Sequence, residues 1–133
     1  MNIPDLLKQG ELLFSQGKTD EAEEIFLRVI EHEPDNKEAH NNLGVVAFSR
    51  GDAEGAVIYF KKAVDSDPLY LDALVNLCEV LQSRGMMAEA LPYIERAIEL
   101  NPENETLGEA LKNGGVTICP EGGKLISEEK GDG

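Results

Sequence analysis

The chain has 133 residues, one domain's worth, with 41% hydrophobic residues to build a core and no Trp. Its 26 acidic and 12 basic side chains leave a formal charge of −14, which argues against nucleic acid or an anionic membrane as partner, because phosphates need a basic stripe to displace their counterions. Cys78 and Cys119 form neither a CxxC pair nor a disulfide framework, MNIPDLLKQG has no signal-peptide character, and no apolar run reaches the roughly 18 residues of a membrane helix, so a reduced, cytoplasmic setting is expected.

Pro4 and Asp5 open a first helix that carries Leu6, Leu7, Leu13 and Phe14 at helical spacing, with Gly10 between them. Gly17-Lys18 is a turn. Thr19 or Asp20 is expected to cap the second helix, with Glu21, Glu23 and Glu24 near its positive end. That helix places Ala22, Ile25, Phe26, Val29 and Ile30 on one face and stops before Pro34. The same text returns after a shift of 34 residues, with anchors at Pro34, Pro68 and Pro102, at Gly17, Gly51 and Gly85, and at Ala22, Ala56 and Ala90. The second unit repeats the plan with Leu43, Gly44, Ala47 and Phe48, a cap at Asp52, then Ala56, Phe60, Ala63 and Val64. The third has Leu74, Leu77, Cys78 and Leu81, then Ala90, Ile94, Ala97 and Ile98; its Pro92 predicts a late start or a kink in the sixth helix.

A fixed period of this size marks stacked helical hairpins. The expected fold is all-α: a right-handed α-solenoid of three helix-turn-helix hairpins (3–36, 37–70 and 71–104) plus a C-terminal capping helix at 105–113. These make one domain, 3–113, followed by a flexible acidic tail, 114–133, rich in Gly and charge.

The residues resemble the tetratricopeptide repeat family. Its large first slot holds Leu6, His40 and Leu74; its Leu-Gly slot holds Gln9-Gly10, Leu43-Gly44 and Leu77-Cys78; its Ala–Phe pair is Ala22–Phe26, Ala56–Phe60 and Ala90–Ile94. The family's aromatic slot after Leu-Gly departs from the pattern, with Leu13, Ala47 and Leu81. The resemblance implies a protein-binding groove lined by the first helix of each unit. On this chain that lining includes Leu7, Glu11 and Phe14, then Glu38, Asn41, Asn42, Val45 and Phe48, then Asp72, Val75, Asn76 and Glu79.

Asn42 and Asn76 occupy equivalent sites one period apart. An amide both donates and accepts, so such a pair suits a peptide backbone whatever the partner's side chains. Leu7, Phe14, Val45, Phe48, Tyr70 and Val75 are expected to form an apolar floor rimmed by Glu11, Glu38, Asp72 and Glu79, an arrangement that favours a protein or peptide partner with apolar and basic residues. Phe14 and Phe48 also suit the core between helices. The family's clamp for chaperone C-terminal carboxylates uses Lys and Arg with Asn, and this chain has Leu7, Glu11, Asp72 and Asn76 where that clamp would place Lys, Asn, Lys and Arg. Only Asn42 fits, so a chaperone-tail receptor of that type is not expected.

No catalytic, cofactor or metal site is expected. His32 and His40 occupy non-equivalent repeat positions with no partner spacing, and His40 fills a packing slot. Cys78 replaces a small Gly and reads as a buried, inert thiol. The expected function is a non-catalytic scaffold that binds a partner peptide in its groove. The alternatives are a self-associating module, or a regulatory fragment of a larger enzyme.

Overall fold

The computed structural model describes residues 2–103 and the backbone of 116–117 and 126–127. Six helices run through the described residues: α1 (Ile3–Ser15), α2 (Thr19–His32), α3 (Lys37–Ser49), α4 (Ala53–Ser66), α5 (Leu71–Ser83) and α6 (Met87–Leu100). The class is all-α, one hairpin design repeated. Two dipeptides add a minimal antiparallel ladder, β1 (Val116–Thr117) and β2 (Ile126–Ser127), with Val116 opposite Ser127. The expected helix at 105–113, Cys119 and the rest of the tail lie outside the described residues.

Each hairpin turns by the same device. After α1, the Lys18 N–H donates to the Leu13 carbonyl and the Gly17 N–H to the Phe14 carbonyl, the paired bonds of a Schellman motif. Its turning residue needs a positive φ, supplied by Gly17 (82°), Gly51 (82°) and Gly85 (74°). Helix starts vary more. Asn2 caps α1 by accepting from the Asp5 N–H, Asn36 caps α3 through the Ala39 N–H, and Asp52 caps α4 through the Gly55 N–H. The α2 helix departs from expectation: Thr19 already lies inside it, Lys18 takes the cap position, and no side chain bonds there. In α6, Pro92 sits inside a helix that begins at Met87, so the proline does not delay the start.

The chain divides into two compact units, Met1–Pro68 and Leu69–Gly133. In the first, α1 packs on α2, α2 on α3, and α3 on α4. Ala22, Phe26, Leu43 and Val46 form a buried cluster, with Leu7, Leu13, Phe14, Ile30 and Tyr59 packed around it. Helices within each hairpin meet closely where a side chain is missing. A methyl group at Gly10 would lie 2.5 Å from the Phe26 ring, and one at Gly44 would lie 2.5 Å from the Phe60 ring. In the second unit α5 packs on α6. There the equivalent positions carry the larger Cys78 and the smaller Ile94, both buried, so volume added on one helix is removed from the other.

The α1 helix differs from α3 at three equivalent positions. Ala39, Leu43 and Val46 of α3 are buried. One period earlier stand Asp5, Gln9 and Leu12, all exposed. That side of α1 is open to solvent, and two of its three positions are polar.

Candidate partner-binding face

In the first unit, Leu7, Glu11 and Phe14 recur at helical spacing on α1, and Glu38, Asn41, Asn42, Val45 and Phe48 share a side of α3. The two helices touch, and one hydrogen bond joins the two sets: Asn42 Nδ2 donates to Glu11 Oε2 at 3.1 Å. Glu11 is exposed, Glu38 and Phe48 are half-buried, and Leu7 and Phe14 are half-buried against the core cluster. Phe14 thus serves the core as well as this face. Asn41, Asn42 and Val45 are withdrawn, with Asn42 only 8% exposed.

In the second unit, α5 places Asp72, Val75, Asn76 and Glu79 along one side. Asp72 is half-buried, and the other three are buried. The two equivalent asparagines are therefore both withdrawn from solvent. Asn42 has one donor committed to a carboxylate, and Asn76 is 0% exposed.

Sequence reading missed the Glu11–Asn42 pair. The residues are 31 apart, and the position equivalent to Glu11 in the next unit is Val45, so the period gave no signal for it. It also missed the role of Ser15, Ser49 and Ser83 near the helix ends. Their hydroxyls donate to the carbonyls of Leu12, Val46 and Val80, satisfying acceptors in the last turns.

Two ion-pair groups frame the first unit. Lys37 Nζ bonds Asp67 Oδ2 at 2.5 Å, joining the start of α3 to the end of α4, and that hydrogen bond is the main cause holding the lysine's pKa above its ordinary value. Arg50 bonds Asp20 and, at 2.8 Å, Glu23, joining the end of α3 to the start of α2. Its hydrogen bond to Glu23 is the leading cause of its raised pKa.

Cys78 is buried, and burial pushes its thiol up to about 12, with the neighbouring Glu79 carboxylate adding to the effect. Such a thiol stays protonated and is a poor nucleophile at neutral pH. Among the described residues no three His, Cys, Asp or Glu side chains converge as metal ligands, and no helix is long and apolar enough to cross a membrane.

Two family models described as tetratricopeptide repeat match the chain, one over residues 7–70 and one over 47–113. Comparison with curated proteins gives no match. Among solved structures, a mutant O-GlcNAc transferase of Thermobaculum terrenum is 27% identical with a TM-score of 0.74, covering 84% of this chain; this chain covers 22% of that one. The first TPR of Spaghetti (RPAP3), bound to an HSP90 peptide, is 24% identical with a TM-score of 0.76, covering 84% of this chain and 89% of its own. The type III secretion translocator chaperone SycD of Yersinia enterocolitica is 19% identical with a TM-score of 0.72, covering 84% of this chain and 79% of its own.

Proposed function

The chain belongs to the tetratricopeptide repeat family, and from that premise we propose that it is a non-catalytic scaffold that binds a peptide segment of a partner protein through the first helices of its hairpins. The observation that carries this reading is the α1–α3 face. Half-buried Leu7, Phe14 and Phe48 stand there beside the carboxylates of Glu11 and Glu38. An apolar patch with an acidic rim selects a segment that mixes apolar and basic residues. Asn42 acts by holding Glu11 in place, while its amide oxygen remains an acceptor. In the second unit, α5 carries Asp72 half-buried, with Val75, Asn76 and Glu79 buried on the same side. A cytoplasmic setting accords with the free Cys78 thiol.

The relative bound to an HSP90 peptide points to the general mode and away from the same client. The positions where a carboxylate clamp would carry cations hold Leu7, Asp72 and Asn76 here, and Glu11 stands at one of its asparagine positions, so an acidic chaperone tail meets acid, amide and hydrocarbon.

The test is selection from a displayed peptide library by the full chain, repeated with Glu11→Lys and Glu38→Lys. We expect enrichment of peptides carrying apolar and basic residues, lost in both variants. Enrichment of acidic peptides, or a selected set unchanged by both substitutions, would refute the assignment of this face.

A further inference from the structure

The α5 helix is enclosed on every side. Its buried residues run without a break from Ala73 to Leu81, about two and a half turns, so they face all directions around the axis. Packing on α6 accounts for one of those sides. By contrast α1, which packs on α2 and also touches α3, buries only Gly10.

One repeated position shows where the extra cover comes from. Glu11 reaches forward to Asn42 on the following first helix, yet it stays exposed. Glu79 holds the same position on α5 and is 7% exposed, and Asp72, Asn76 and Glu79 all engage in polar or electrostatic contacts. A carboxylate so enclosed needs a cation or hydrogen-bond donors to offset its lost hydration. The spacing of the Glu11–Asn42 pair is 31 residues, and the same step from Glu79 leads to Ala110, whose methyl group donates nothing. The next repeat position therefore does not supply the match.

The compact unit that holds α5 continues to Gly133 and includes the ladder that pairs Thr117 with Ile126. Lys124 and Leu125 stand just before the second strand of that ladder, and between Glu121 and Glu128 Lys124 is the sole charged residue. Lys124, Leu125 and Ile126 thus join a cation to hydrocarbon, the combination that complements an apolar face with carboxylates. We propose that residues 114–133 fold back over the groove side of α5 as an internal ligand, with Lys124 toward Asp72 and Glu79 and Leu125 beside Val75. The surface offered to a partner is then the α1–α3 face alone. The role as a ligand rests on the proposed function; the place on α5 does not.

The test is paramagnetic relaxation in the full chain, read by nuclear magnetic resonance. A nitroxide reagent takes Cys119 and leaves Cys78, which is buried. We expect loss of the Asp72, Asn76 and Glu79 amide signals, while Glu95 and Glu99 on the exposed side of α6 keep more of theirs. The Lys124→Glu, Leu125→Asp double variant should restore the three lost signals. No loss on α5, equal loss on both sides of the hairpin, or loss unchanged in the double variant would overturn the fold-back. A mixture of nitroxide-bearing chains and isotope-labelled chains without nitroxide separates the occupants: the same losses there would make the occupant a second copy and overturn the intrachain assignment. If the α1–α3 face selects no peptide, the ligand role falls, and the docking is still decided by these losses.

Discussion

Gly44 is occupied by nothing but hydrogen because the Phe60 ring fills the space where a side chain would begin. Alanine is the better helix former by about 1 kcal/mol, so on an isolated helix Gly44→Ala would stabilise. Here the added methyl would sit 2.5 Å from a buried ring, and overpacking of a core costs about 1–3 kcal/mol. Packing should win. Gly44→Ala is expected to lower the unfolding free energy in urea, and pairing it with Phe60→Leu should recover part of the loss in a double-mutant cycle. Cys78 sets a second expectation at this scale. Its thiol is pushed from 9.0 to about 12 in the fold, so the unfolded chain loses its proton first as pH rises. The stability associated with the protonated thiol is complete below pH 9.0 and declines toward pH 12, by up to about 1.4 kcal/mol per unit. In a Cys119→Ala background, urea midpoints measured from pH 8 to 11 should fall more steeply with Cys78 than with Cys78→Ala, and a thiol reagent should label Cys78 only on unfolding.

At the scale of the element, the three hairpins share a turn and differ in how their helices begin. Lys18 and Asp52 are equivalent residues at the starts of α2 and α4, yet only Asp52 bonds a backbone N–H. Lys18→Asn would supply the missing acceptor without adding another acid beside Asp20 and Glu21, and is expected to stabilise by about 0.5–1 kcal/mol, seen as a raised urea midpoint. The hairpins themselves were legible in the sequence, because period, glycine turns and closing prolines all report a local constraint that one residue type meets best. The start of α2 was misread for a physical reason. The Schellman turn at Gly17 fixes the count to the next helix and places Thr19 one residue too late to cap it. On the candidate site, Leu7, Glu11, Phe14 and Glu38 were legible as members of helix faces. The burial of Asn41, Asn42 and Asn76, and the bond from Asn42 to Glu11, were not legible, since they depend on neighbours brought together by tertiary packing. His40 was legible as a packing residue, and it is buried.

For the whole molecule, the dominant long-range quantity is the charge of −14. Self-repulsion of that size opposes compaction, and salt screens it over about 8 Å at physiological ionic strength. Salt also weakens the pairs that Lys37 and Arg50 make, but those are surface pairs and individually contribute little. The net effect should be stabilising, so the melting temperature is expected to rise as sodium chloride increases from low to physiological concentration. A fall would mean that the ion pairs outweigh the repulsion.

The contrast between Asp5, Gln9 and Leu12 on α1 and Ala39, Leu43 and Val46 on α3 bears on how such an array can change over generations. The first two hairpins are not interchangeable, because this side of α1 is written for water and the same side of α3 for hydrocarbon. A gene lesion that removes residues 3–36 in frame keeps the period intact. It nonetheless turns Ala39, Leu43 and Val46 outward as a sticky new edge. A further copy of the second hairpin should therefore be accommodated directly behind the first, whereas one packed onto the exposed side of α1 would bury Asp5 and Gln9.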